Sequence, residues 1–108
     1  MTPPVRRGEV WFADVPGDKR RPVLVMTRDP LGRVLHSVLC APISSVIREL
    51  SSEVAIGPGA GLASESVANF DNLFLLDRSR LVRRLGHASA ETMEAACGAL
   101  AIAVDCGS

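Results

Sequence analysis

The chain has 108 residues, 47% of them apolar and 22% charged, with a formal net charge of zero. That composition excludes a disordered tail and allows one domain, 1–108, with a single modest core. No apolar run reaches the length of a membrane span, and Met1-Thr2-Pro3-Pro4-Val5-Arg6-Arg7 lacks the hydrophobic core of a signal sequence, so the expectation is a cytoplasmic protein.

Glu9-Val10-Trp11-Phe12-Ala13 is aromatic and β-branched, and it stops at the turn-rich Asp14-Val15-Pro16-Gly17-Asp18, which predicts a strand followed by a loop. Three adjacent cations, Lys19-Arg20-Arg21, then lead through Pro22 into Val23-Leu24-Val25-Met26. Crowding like charges at a strand entrance costs free energy unless an anion sits among them, so the cluster suggests a phosphate site. The apolar run from Pro22 to Met26 suits a strand buried on both faces, with proline at the first position where a sheet tolerates it.

Asp29-Pro30-Leu31-Gly32 is turn chemistry, and Val34 to Ala41 is expected to form a third strand. Pro42-Ile43-Ser44-Ser45 follows as a second polar island, placed where it could meet the cationic one across a sheet. Residues 44–52 read as a loop with a possible helical turn, and Glu53-Val54-Ala55-Ile56 as a fourth strand. Gly57-Pro58-Gly59-Ala60-Gly61 must be a turn or flexible loop. Two short runs, Ser66 to Phe70 and Leu73 to Leu76, are separated by Asp71-Asn72. A polar Asp77 to Arg80 then precedes a last strand, Leu81 to Leu85.

The period changes at the end of the chain. Ser89 is a good N-cap, Glu91 and Glu94 suit the helix dipole, and Met93, Ala96, Cys97, Leu100 and Val104 recur at helical spacing as one narrow apolar face. Several strands and one closing helix predict a mainly β (α+β) fold, either a small barrel or a strongly bent sheet.

The first 48 residues hold eight Lys or Arg against four Asp or Glu, and the remainder hold the reverse. One local basic face is therefore compatible with a neutral total, although a large basic field is not. Cys40, Cys97 and Cys106 are odd in number and widely spaced, which argues against a disulfide framework and against zinc. Cys40 and Cys97 read as small buried hydrophobes. His36 and His87 are far apart, no carboxylate cluster has ligand spacing, and neither a nucleophile elbow nor a phosphate-binding P-loop is present. A site of arginine plus hydroxyl, with no metal or other cofactor, remains. An Arg fork can bond two phosphate oxygens and stay charged as negative charge builds, and a Ser hydroxyl can donate to the same oxygens. RNA supplies its own nucleophile in the 2′-hydroxyl, which DNA lacks.

Arg7-Gly8-Glu9-Val10-Trp11, Arg21-Pro22-Val23-Leu24-Val25, Ala41-Pro42-Ile43-Ser44-Ser45, Ser66-Val67-Ala68-Asn69-Phe70-Asp71-Asn72 and Leu85-Gly86-His87 with the following helix resemble, in that order, the MazF/PemK family of toxin endoribonucleases. The resemblance runs from about Arg7 to Val104. It implies a small SH3-like β-barrel with a C-terminal helix, and a homodimer that cuts single-stranded RNA to leave a 2′,3′-cyclic phosphate and a 5′-hydroxyl. It also implies a cognate antitoxin whose disordered tail crosses the substrate groove. By position, Arg21 matches the catalytic arginine, and Ser44 stands where threonine is usual, with Ser45 as its neighbour. Lys19 and Arg20 become loop cations that help hold RNA. Arg28-Asp29 replaces an Asn-Asp pair associated with base contact, and Asp71-Asn72 matches an acidic-amide pair near the active site. Asp71, Asp29 and His36 are the candidates for taking the 2′-hydroxyl proton.

Each residue has a plainer role as well. Arg21 could merely pair with Asp14 or Asp18, Ser44 could be a turn hydroxyl, and Asp71-Asn72 a turn. Two other functions fit the same fold: a gyrase-binding toxin of the CcdB kind that cuts nothing, and an inactive RNA-binding module. CcdB proteins resemble one another at a Trp-containing C-terminus, whereas this chain ends Asp105-Cys106-Gly107-Ser108.

Overall fold

The computed structural model describes residues 4–28 and 36–104. The expected turn at Asp29-Pro30-Leu31-Gly32, the first residues of the third strand and Cys106 lie outside them.

The described strands are β1 (Glu9–Ala13), β2 (Arg21–Val25), β3 (Ser37–Ser44), β4 (Glu53–Ile56), β5 (Ser66–Asn69), β6 (Phe74–Asp77) and β7 (Leu81–His87), and one helix follows, α1 (Ala90–Val104). Pairing is antiparallel along the path β4-β5-β3-β2-β1-β7, with β6 joined to β3. The expected class, mainly β with a C-terminal helix, is the one observed. The expected barrel closure is not: among the described residues β4 and β7 are not paired, so the molecule is a strongly bent sheet.

β3 causes the bend. Its first half, Ser37 to Cys40, pairs with β6, and Ile43 and Ser44 pair with β5. Pro42 falls in the gap between those two pairings. A residue with no N–H to offer a ladder is tolerated there, which is why the strand runs through the proline and beyond Ala41, where a break was expected.

Side-chain alternation divides β2 between two cores. Leu24 and Met26 face a cluster with Ile43, Phe70, Ala96 and Ala99 beneath α1, whereas Val23 and Val25 face Trp11, Val38, Cys40 and Leu76. The apolar run is therefore buried on both faces, as its composition predicts.

Helix α1 begins as expected, with Ser89 Oγ accepting the Thr92 N–H at 3.1 Å. Its sheet-facing stripe is Met93, Ala96, Ala99 and Ala103, with Leu100 beside it. Cys97 and Val104 are exposed, which corrects the expected face, because a step of one residue turns a helix by about 100° and carries Cys97 off the stripe. Its Sγ accepts instead from Arg7 Nη2 at 2.9 Å. Cys40 is buried as expected, and burial pushes its thiol up to about 12.

Residues 45–52 form a loop without the expected helical turn. Glu53 organises it: Oε1 accepts the backbone N–H of Arg48 at 3.0 Å and of Leu50 at 3.4 Å, and Oε2 accepts Arg48 Nε at 3.3 Å. The Gly57 to Gly61 segment contains one 3-10 turn, Pro58–Ala60. No helix among the described residues is long and apolar enough to cross a membrane.

Candidate active site

β2 and β3 set the site by their register. Val25 pairs with Cys40 and Val23 with Pro42, and two residues beyond that last pair, on the adjoining ends of the two strands, stand Arg21 and Ser44. Antiparallel pairing sets the start of one strand beside the end of the other, which brings the cationic and the hydroxyl island together.

Two clefts meet at this point, one of about 410 Å³ and one of about 240 Å³, and Arg21, Ser44 and Val46 line both. The larger also takes in Lys19, Arg20 and Ser45, and the smaller Arg48, Asn69 and Asn72. Lys19 and Arg20 are exposed and have no ion-pair partner among the described residues.

Arg21 is partly exposed, and its Nη2 bonds Asp18 Oδ2 at 3.0 Å. Its Nε is buried and has no hydrogen-bond partner among the described residues. Asp14, the other acid considered for it, lies 3.7 Å from Arg80 Nη1 instead. Ser44 Oγ accepts the Val46 N–H at 3.0 Å. It is therefore the turn hydroxyl anticipated as its plainer role, and the same bond fixes the oxygen while leaving its proton available for donation.

The other predicted residues separate. Asn72 lines the smaller cleft, whereas its neighbour Asp71 accepts from Ser52 Oγ, and its own N–H donates to Asn69 Oδ1 at 2.8 Å. Arg28 is exposed beyond the far end of β2 and lines neither cleft. Asp29 lies outside the described residues. His36 precedes Ser37 at the far end of β3, with the whole strand between it and Ser44, and it lines neither cleft. Its charge acts on Asp77, whose carboxyl is held below the usual range by the Ser79 N–H and hydroxyl first, and also by His36 and Arg80.

Arg48 and Asn69 were missed by reading the sequence. Arg48 follows Ser44 by four residues in a polar loop, and Asn69 falls inside the Ser66 to Asn72 motif, so proximity in sequence was the available signal.

A bent antiparallel sheet, one C-terminal helix and a cation-lined cleft at the shared end of two paired strands define a small α+β protein suited to binding an anion. Residues 6–104 match the family model described as PemK-like, MazF-like toxin of type II toxin-antitoxin system, and the chain belongs to that family. It is 40% identical over 107 residues to a protein of Mycobacterium tuberculosis named probable endoribonuclease MazF5, covering 98% of each. The solved structure of Mycobacterium tuberculosis toxin MazF-mt6 superposes with a TM-score of 0.85 at 33% identity, covering 90% of this chain and 96% of that one. A mycobacterial endoribonuclease solved in complex with its cognate antitoxin gives a TM-score of 0.86 at 28% identity, covering 96% of this chain and 98% of that one.

Proposed function

We propose that this chain is a sequence-selective endoribonuclease, the toxin of a type II toxin-antitoxin pair, acting as a single domain on single-stranded RNA without a metal. The observation that carries the reading is the meeting of Arg21 and Ser44 where the two clefts join, with a buried Arg21 Nε that has no hydrogen-bond partner among the described residues. In the proposed reaction the 2′-oxygen attacks the adjacent phosphorus and the bond to the 5′-oxygen breaks. A 2′,3′-cyclic phosphate and a 5′-hydroxyl result, the proton lost from the 2′-hydroxyl being balanced by one gained at the 5′-oxygen. Arg21 stabilises the charge building on the phosphorane oxygens, and Ser44 donates its hydroxyl proton in a hydrogen bond to one of them. Lys19 and Arg20 hold the RNA backbone in the larger cleft, and Asn72 and Arg48 face the nucleotide in the smaller.

The family match supports a cognate antitoxin as partner, and the antitoxin complex of the mycobacterial relative supports the same assignment. A homodimer in the cytoplasm completes the proposal. The gyrase-binding alternative is not favoured, since the family model and the relatives all lie with the MazF toxins. Incubation of the purified protein with a long transcript in EDTA tests the reading. New 5′-hydroxyl ends should form, and Arg21→Ala should slow their formation roughly a thousandfold. Intact RNA beside inhibited DNA supercoiling would reject it in favour of the gyrase poison, and RNA retention without cleavage in favour of an inactive binding module.

A further inference from the structure

The bond between Asp18 and Arg21 uses half of a fork. Nε and Nη2 lie along one edge of the planar guanidinium and form the parallel donor pair that meets two oxygens of a phosphate at once. Asp18 Oδ2 holds Nη2 at 3.0 Å, and Nε on the same edge is buried with no hydrogen-bond partner among the described residues. The carboxylate does not close over both prongs, because its Oδ1 accepts the Lys19 backbone N–H at 2.7 Å.

We propose that Asp18 is an intrachain anion occupying the position of one phosphate oxygen on Arg21, and that a phosphodiester displaces it to take the whole edge. Asp18 thereby sets the affinity of the site and favours ligands that present two oxygens to one guanidinium. The inference rests on the reading of Arg21 as the phosphate-binding residue.

The energetics allow the exchange. The Arg21 and Asp18 side chains are 28% and 41% exposed, and a solvent-exposed pair of this kind is weak and readily given up. A phosphate bonded along the partly buried edge would add the unpartnered Nε to its contacts, and charge-assisted bidentate bonds are the stronger kind. The loop need not open for this. Asp14 N–H donates to Arg80 O at 2.9 Å and Asp18 N–H to Val15 O at 3.1 Å, so the backbone around Asp18 is anchored and only its side chain has to turn away.

The test compares wild type, Asp18→Asn, Arg21→Gln and the double variant. Binding is measured by fluorescence anisotropy with a labelled 2′-O-methyl version of an RNA that the wild type cuts, so that no 2′-hydroxyl can react, and cleavage of the unmodified RNA is followed separately. Asp18→Asn should bind about two- to fivefold more tightly, with KM lowered accordingly, and this gain should vanish in the Arg21→Gln background. Unchanged or weaker binding with a lowered kcat would overturn the proposal and make Asp18 a positioning residue. Equal tightening in both backgrounds would also overturn it, since the effect would then be loss of one negative charge anywhere near the cleft. If Arg21→Ala still cuts RNA at the wild-type rate, the underlying reading of Arg21 fails, and that result is distinct from failure of the Asp18 exchange alone.

Discussion

Gly61 and Gly86 meet backbone to backbone. A β-carbon on Gly61 would stand 2.1 Å from the Leu85 carbonyl oxygen, and one on Gly86 would stand 2.3 Å from the Ala60 carbonyl oxygen. β7 and the segment after β4 thus come together without ladder hydrogen bonds, and this seam holds the two ends of the bent sheet. Both glycines press on backbone, which cannot rotate aside, and Gly61 also has a φ of +94°. Gly86→Ala should destabilise the protein by about 2–4 kcal/mol, and Gly61→Ala by at least as much. Urea unfolding with an unchanged m-value checks this.

Ser44→Ala removes the hydroxyl that the Val46 N–H holds at the mouth of both clefts. Cleavage should fall roughly a hundredfold, chiefly in kcat, with Ser44→Thr close to wild type. Ser45 lines only the larger cleft, and Ser45→Ala should change the rate little. Single-turnover cleavage of one RNA by the three variants decides between the two serines.

Acid should loosen the loop beside the site before it unfolds the sheet. Burial by itself would raise the Glu53 carboxyl, but the N–H groups of Arg48 and Leu50 and the Arg48 guanidinium outweigh it, and the group titrates below its ordinary value. A carboxyl lowered in the folded state contributes stability that is fully present above its unfolded pKa of about 4.3 and is lost as pH falls through the lower folded value. Asp77, lowered by Ser79, acts in the same direction. Melting temperature should be flat from neutral pH to about 5 and fall below that, and Glu53→Gln should lower the plateau and flatten the acid limb. A Glu53→Gln curve parallel to wild type at every pH would contradict the assignment.

The two described cysteines should differ sharply in reactivity. Cys40 is fully buried with its thiol pushed up to about 12, and Cys97 is exposed on α1 beside Arg7. In a Cys106→Ser background, a thiol-disulfide reagent at neutral pH should label one group promptly and the second only at the rate of global unfolding. Mass spectrometry of the early product should place the label on Cys97.

Much of the fold was legible because its signals are local. Glu9 to Ala13 and Glu53 to Ile56 are strands with the bounds that their β-branched and apolar content predicts, and Ser89 caps the helix as its hydroxyl and position require. The Lys19-Arg20-Arg21 cluster stood out because three adjacent cations need an anion to justify them, and the Pro42 to Ser45 island because it follows an apolar strand, while the family resemblance singled out Arg21 and Ser44 within them. Other features left no such mark. A proline ordinarily ends a strand, and only the change of partner from β6 to β5 lets β3 continue through Pro42. The helical spacing that admits Cys97 to an apolar face does not say which side of α1 the sheet will take.

The sequence by itself determined the family-like order of motifs, the strand and helix periodicities, and the chemical types at the site, since these depend on each residue and its near neighbours. Tertiary structure alone decided which residues oppose one another. The register that brings the Arg21 end of β2 to the Ser44 end of β3, the commitment of Asp71 to Ser52 and the contact of Gly61 with Gly86 all join segments distant along the chain. Such pairings follow from strand register and side-chain packing, which balance over the whole sheet and are carried by no local run of residues.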